Sequence, residues 1–342
     1  MSMSMLVLGG SHFLGLQVAE QARDHGWQVS VFNRGKTGSN PDGVRGVVGD
    51  RMNDSDLARL VELGAWDAVV DTSGMNAEAV ESATAALAPV VGRYVYVSTV
   101  SVYADWPLHP LREELPTLTE AAPAHGMPPD VNVSYGRDKA ACEQAARTHL
   151  DKRLTILRPG VILGPGEYVG RLPWWLARTA RGGQILAPGC PDQALQPVDV
   201  RDLAVFACRR AETATGGEVF NIAAPQDAAT MGGFLADCLS ATEPARAELT
   251  WVNSSFLVEH EVRQWTELPL WRTHSGTWQV DAGRAREAGL LCRPLEQTVA
   301  DTWSWMQAGN KAVYNDRAAL HGIDPAKEQA VLAAWATRRE RP

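Results

Sequence analysis

Over its first 160 residues the chain alternates short apolar runs with segments of helical periodicity, the pattern of βαβ units around a parallel sheet. Residues 5–8 predict a first strand, and residues 13–25 a first helix closed by Gly26. Strands are expected at 28–32 and 44–48, then a helix at 54–64 that Asp54 or Ser55 would cap. Residues 66–71 and 93–97 are near-continuous apolar runs, as expected of strands with helices on both faces, and 77–91 reads as the helix between them.

The rhythm breaks over residues 104–133, where Pro107, Pro110, Pro116, Pro123, Pro128 and Pro129 oppose regular structure. So long a loop reads as a candidate lid that would order when a ligand binds. A helix at 135–150 and a strand at 154–157 follow. Beyond Arg158-Pro159-Gly160 the pattern loosens, and nine of the twelve tryptophans lie past position 170, so a second, smaller region is expected there.

Composition then removes several functions. A net charge of −8 argues against a nucleic-acid partner, whose phosphates need a basic surface. No apolar run approaches the roughly 18 residues of a membrane span, and residues 1–5 show no signal-peptide pattern. Cys142, Cys190, Cys208, Cys238 and Cys292 are scattered without CxxC spacing, so neither a disulfide framework nor a metal site is expected. A reducing cytoplasmic setting is the corresponding expectation.

Candidate chemistry begins where the first strand ends. Gly9, Gly10, Ser11, His12, Phe13, Leu14 and Gly15 join that strand to a helix. Glycines there let backbone approach a pyrophosphate, and the helix N-terminus offers free N–H groups. The motif is imperfect, because His12 stands where the usual spacing has a middle glycine. A tight strand-to-helix turn alone would also account for it, although strand, turn and helix fall in the required order. At the end of the second strand, where an NAD site has an acid for the ribose, Asn33, Arg34 and Lys36 stand instead. Arg34 is suited to a 2′-phosphate. One charge-assisted bond of about 1.5–3 kcal/mol makes NADP(H) the favoured cofactor, about 10- to 100-fold, with NAD(H) the alternative. Asp50, with Arg51 beside it, is placed to face the adenine.

Tyr135 and Lys139 lie one helical turn apart and share a face. A free tyrosine titrates near pH 10, too high for acid–base work near neutrality, and a neighbouring ammonium lowers that value. Thr99, after the fifth strand, is placed to hydrogen-bond a substrate oxygen at the sheet edge where ligands bind. Alone, this Tyr–Lys spacing is common.

As an ordered set the motifs are more specific. Gly9–Gly15, Asp50, Ser98-Thr99-Val100-Ser101-Val102-Tyr103, Tyr135-Gly136-Arg137-Asp138-Lys139 and Arg158-Pro159-Gly160 are followed by Gln196–Ala204 and Gly217–Ile222. Together they resemble the short-chain dehydrogenase/reductase superfamily, in its extended or atypical branch of NAD-dependent epimerase/dehydratase-like reductases. The resemblance covers residues 5–225 well and the remainder loosely. It implies an α/β fold with a Rossmann-type doubly wound parallel sheet. Residues 1–163, rejoined by 197–223, would form the dinucleotide-binding core, and 164–196 with 224–342 a smaller C-terminal α/β substrate-binding region. It further implies Tyr135 as acid/base, Lys139 on the nicotinamide ribose and Thr99 polarising the substrate. Ser98, Pro159, Gly160 and Ile162 would line the cofactor, and helices 77–91 and 135–150 would form a homodimer contact.

Val161 departs from the nucleotide-sugar members, many of which carry Asn there, so a nucleotide-diphosphate sugar is not the expected substrate. Tyr168, Trp174 and Trp175 are the candidate substrate contacts, since aromatics give a pocket apolar area. The expected function is an NADP(H)-dependent oxidoreductase reducing a ketone or related C=X group on a partly apolar small molecule. The alternatives are an epimerase or dehydratase with a retained dinucleotide, and a dinucleotide-sensing regulator.

Overall fold

Seven parallel strands form the central sheet in the computed structural model, which describes residues 2–36, 38–119, 127–128, 131–213, 216–312 and 318–339. In chain order the elements are β1 (Ser4–Leu8), α1 (Phe13–Asp24), β2 (Gln28–Asn33), β3 (Arg45–Val48), α2 (Asp54–Glu62) and β4 (Trp66–Asp71). Then come α3 (Ala77–Leu87), β5 (Val91–Val97), α4 (Val133–Leu150) and β6 (Leu154–Pro159). A short strand β7 (Ile162–Leu163), helix α5 (Arg171–Ala180), β8 (Gly183–Pro188), β9 (Ala194–Leu195) and β10 (Val198–Asp199) lead to α6 (Val200–Thr213) and β11 (Glu218–Ile222).

The sheet runs β11-β6-β5-β4-β1-β2-β3, the doubly wound order in which strands are added outward in opposite directions from the junction of β1 and β4. Its register decides where the loops emerge. Leu8 pairs with Asp71, and Asp71 with Tyr96, so the segments after β1, β4 and β5 leave one edge of the sheet together. Polar–apolar alternation is absent from the inner strands; β1, β4 and β5 bury both faces, one under α1 and α6 and the other under α3 and α4.

Local chemistry sets the element ends. Helix α2 is capped by Asn53, not by Asp54 or Ser55: its side chain accepts from the backbone N–H of Ser55 and Asp56. Helix α3 stops at Leu87, short of the expected residue 91, because Pro89 turns the chain into a 3₁₀ step and Val91 already belongs to β5. Asn132 accepts from the Tyr135 N–H and starts α4 at Val133.

The described part of the proline-rich loop is better anchored than the density of prolines predicts. Leu118 N–H donates to Val102 O at 2.7 Å and Leu111 N–H to Gln279 O at 2.8 Å, while Leu111 is fully buried. Side-chain burial and a few long-range bonds hold the segment where no regular ladder exists. The expected lid continues through residues 120–126 and 129–130, which lie outside the described residues.

The remaining elements are β12 (Ala229–Thr230), α7 (Met231–Thr242), β13 (Ala247–Val252), α8 (Ser254–Glu259), α9 (Gly283–Glu287), α10 (Leu295–Gln307) and α11 (Pro325–Arg339). Strand β13 pairs in parallel with β8, and α5, α7 and α10 pack beside them around a second apolar core containing Trp175, Phe234 and Trp271. No described helix is long and apolar enough to cross a membrane.

Candidate active site

The loop after β1 is folded so tightly that there is no room for a Cβ at Gly9, Gly10 or Gly15. Gly9 and Gly10 have φ of +111° and +85°. A Cβ on Gly10 would lie 2.7 Å from Val31 Cγ1, and one on Gly15 only 2.5 Å from Gly10 N. The loop therefore lies flat on the sheet, and the N-terminus of α1 stays open to an anion. This cradle fits a dinucleotide pyrophosphate. His12 is tolerated in place of the middle glycine because its φ of −161° is extended backbone that any residue adopts. Its ring packs edge-on to Tyr168 with centroids 5.5 Å apart, and burial lowers its pKa, favouring the neutral imidazole. Ser11 is buried in the loop.

At the end of β2, Asn33 is used by the protein itself. Its amide donates to Gly9 O and Asn40 Oδ1, and its oxygen accepts from Gly35 N–H. That leaves Arg34 and Lys36 as the exposed cations beside the loop. Asp50 accepts from Met52 N–H at 3.0 Å. Arg51 does not reach toward a cofactor: it forms a two-bond pair with buried Asp71 at 3.0 and 2.8 Å and contacts Ser73 Oγ at 3.3 Å. Tyr94 also donates to Asp71, at 2.9 Å. Burial pushes the Asp71 carboxyl up, but the Arg51 charge and bonds outweigh it and hold it below the usual range. The pair is a brace under the Thr72–Ser73 turn, which touches Gly9. Sequence spacing carried no sign of it, because the partners are 20 residues apart, one in the turn after β3 and the other at the end of β4.

Helix α4 brings the expected reacting groups together through a residue the motif alone leaves unexplained. A Cβ on Gly136 would lie 2.2 Å from Ser101 O, so the helix seats directly on the Thr99 turn. Half-buried Tyr135, Thr99, Ser98 and Lys139 consequently line one cleft of about 400 Å³, with Gly9, Gly10 and the loop's helix end on its wall. Thr99 Oγ1 accepts from Ser101 N–H at 3.2 Å and lies 3.3 Å from Ser101 Oγ. Pro159, Gly160, Val161 and Ile162 also line the cleft.

Lys139 is only 3% exposed, and its ammonium donates to Gly74 O, Tyr96 Oη and Val97 O at 2.7, 2.6 and 2.8 Å. Burial draws its pKa down to about 8. All three protons thus meet protein oxygens, and the expected ribose contact is not the one this geometry displays. Its charge remains on the cleft wall, one turn from Tyr135.

Of the aromatic candidates, Tyr168 lines the cleft, whereas Trp174 and Trp175 do not. Helix α5 is amphipathic and turns Trp175, 0% exposed, into the second core, where its Nε1 donates to Pro269 O at 2.8 Å. Trp174 packs edge-on against it at 4.7 Å and against Gly322. The apolar wall is instead made by Trp106, Trp265 and Trp278, joined by Arg171, Arg272 and Thr277. Apart from Arg171, which opens α5, these come from irregular segments around residue 106 and over residues 265–278, so no periodicity marks them.

Seven parallel strands in doubly wound order, with a glycine cradle at the switch point, define a Rossmann-type protein of the short-chain dehydrogenase/reductase class. The chain belongs to the NAD dependent epimerase/dehydratase family, whose sequence model matches residues 5–223. It is 27% identical over 234 residues, 64% of its length, to the chloroplast stem-loop binding protein of 41 kDa b of Arabidopsis thaliana. It is 30% identical over 207 residues, 55% of its length, to the 2-alkyl-3-oxoalkanoate reductase of Stenotrophomonas maltophilia. In both cases it spans 58% of the relative's length. Among solved structures, Bordetella bronchiseptica WbmG in complex with NAD and UDP superposes with a TM-score of 0.68 at 17% identity, covering 92% of this chain and 98% of that one. At that identity the likeness establishes the fold.

Proposed function

We propose that the protein is an enzyme of the epimerase/dehydratase type, in which a nicotinamide dinucleotide stays bound while Tyr135 moves a proton on and off a small-molecule substrate. The observation that carries this reading is the seating of Gly136 on the Thr99 turn, which puts Tyr135 and Thr99 in the same cleft as the glycine cradle. When bound, the dinucleotide supplies reversible hydride acceptance. Tyr135 takes the proton of a substrate hydroxyl and returns it, and the Thr99 hydroxyl holds the same oxygen. The Lys139 charge one turn away favours the phenolate that Tyr135 needs. Trp106, Trp265 and Trp278 give the cleft an apolar wall against which the body of the substrate would pack.

A second reading, net reduction by NADP(H), is favoured by Arg34 and Lys36, which are exposed at the end of β2 where an acid would select NAD. The name of the 30%-identical relative, an oxoalkanoate reductase, agrees with it. Mass spectrometry of nucleotide released on denaturing the purified protein separates the two. A retained, near-stoichiometric dinucleotide supports the first reading; freely exchanging NADP(H) with net cofactor oxidation supports the second. A protein that neither retains nor binds a dinucleotide overturns both.

A further inference from the structure

The cleft wall that holds Trp106 and Trp278 is built from two segments locked together by their backbones. Leu111 N–H donates to Gln279 O at 2.8 Å, and Asp281 N–H to Leu111 O at 3.0 Å. Ser275 Oγ donates to Leu108 O at 3.0 Å, and a Cβ on Gly276 would lie 2.3 Å from His109 O. The buried Gln196 amide donates to Val280 O at 3.1 Å and accepts from Val280 N–H at 2.9 Å. Trp265 touches both Trp106 and Trp278, at centroid distances of 6.4 and 5.9 Å. The protein's own contacts therefore hold this wall in shape.

Three side chains on the wall nevertheless carry polar atoms with no partner. Trp106, Trp278 and Thr277 are 9%, 7% and 4% exposed, and all three line the cleft. The two indole N–H groups and the Thr277 hydroxyl are buried and meet no hydrogen-bond partner among the described residues. An indole N–H can only donate, and buried donors without acceptors are uncommon in folded proteins. Turning either ring toward an acceptor elsewhere would break its packing on Trp265. The Trp66 and Trp335 indoles also lack an acceptor, but neither lines this cleft. The observation is thus the meeting of two such indoles and a hydroxyl on one cavity wall.

We propose that these donors receive a carbonyl oxygen of the substrate. The substrate is then an apolar molecule with two oxygen functions: one handled by Tyr135 and Thr99, and a second, a carbonyl, held on the tryptophan wall. The proposal rests on the reading that substrate meets Tyr135 in this cleft. A carbonyl oxygen accepts twice and donates nothing, which matches groups that can only donate. A hydroxyl or amine in its place would bring a proton needing an acceptor of its own, which neither indole offers. An analogue without the carbonyl leaves the buried donors unpaired, so the site discriminates against it.

The test is a calorimetric titration of the full-length purified protein, with NMR of its indole N–H groups followed in parallel. The probes are 1-(4-acetylphenyl)ethanol, 1-(4-isopropylphenyl)ethanol, which keeps the size but replaces the carbonyl with an apolar branch, and UDP-glucose. The ketone should bind about tenfold or more tightly than the isopropyl compound. It should also move two indole resonances downfield, those missing from the spectra of Trp106→Phe and Trp278→Phe. Each of these variants keeps an aromatic ring and removes one N–H, and each should shrink the preference for the ketone severalfold. Equal binding of the two aryl ethanols by the wild-type protein overturns the proposal without any variant being needed. So does tighter binding of UDP-glucose than of the ketone, a preference that both variants leave intact, or the absence of binding by all three probes at millimolar concentration. Titration of NAD(P) on the same sample keeps the parent reading apart: loss of dinucleotide binding counts against it, whereas the comparison of ketone with hydrocarbon does not.

Discussion

The Lys139 ammonium donates to the Tyr96 hydroxyl at 2.6 Å, and the Tyr96 hydroxyl in turn donates to the Gly74 carbonyl at 2.8 Å. This short chain links α4, β5 and the turn after β4 directly beneath the cleft. Tyr96→Phe removes one of three acceptors from a buried charge. It should lower stability by about 1–3 kcal/mol, measured by urea denaturation.

The same lysine should leave a signature in pH. Its folded pKa of about 8 lies below its unfolded value, so between pH 8 and about 10.5 the unfolded chain binds more protons. Its contribution to stability therefore rises across that window and is smallest below it. Tyr94 and Tyr96, whose pKa values burial raises, act in the opposite direction at alkaline pH, so the comparison must be with a variant. The stability gap between wild type and Lys139→Met should move toward wild type by up to about 3 kcal/mol from pH 8 to 10.5. A gap independent of pH would contradict the assignment.

Asp71→Ala strands Arg51 as a buried, unpaired charge, and should cost about 3–5 kcal/mol. Because the folded pKa of Asp71 is depressed, its stabilisation is complete above the ordinary carboxylate value and is lost as pH falls through the folded value. Acid unfolding of the wild type should accordingly be steeper than that of the variant, as followed by circular dichroism.

Tyr135→Phe keeps the ring and removes the proton-transfer group. Turnover should fall by about 10²–10⁴ while dinucleotide affinity barely changes. Thr99→Val should also slow turnover without unfolding the protein. Undiminished turnover in Tyr135→Phe would end the proposed mechanism.

Gly136→Ala adds a methyl group where Ser101 O leaves no room. The helix must shift away from the Thr99 turn, at a cost of about 1–3 kcal/mol. Activity should drop far more than thermal stability accounts for, since Tyr135 and Thr99 move apart. A crystal structure of the variant would measure the displacement.

Arg34→Ala tests the cofactor choice. The wild type should bind NADP(H) several-fold or more tightly than NAD(H), and the variant should narrow the difference. Equal affinities in the wild type would remove the case for a 2′-phosphate contact at this strand end.

The parallel α/β core was legible along the chain, because buried strands, capped helices and glycine turns are local patterns that repeat at short range. So were the glycine cradle, Tyr135 and Thr99, each of which sits in a motif of a few consecutive residues. What those motifs face was settled by packing in three dimensions. Arg51 turned to Asp71 instead of to a cofactor because a buried carboxylate at the end of β4 needs a countercharge. Lys139 found three protein oxygens supplied by β5 and the turn after β4. Trp174 and Trp175 went to the second core, following the apolar face of α5, while Trp106, Trp265 and Trp278 took the cleft. A tryptophan's large apolar surface requires burial, but sequence alone does not say against which wall; that choice belongs to the packing of segments more than a hundred residues apart.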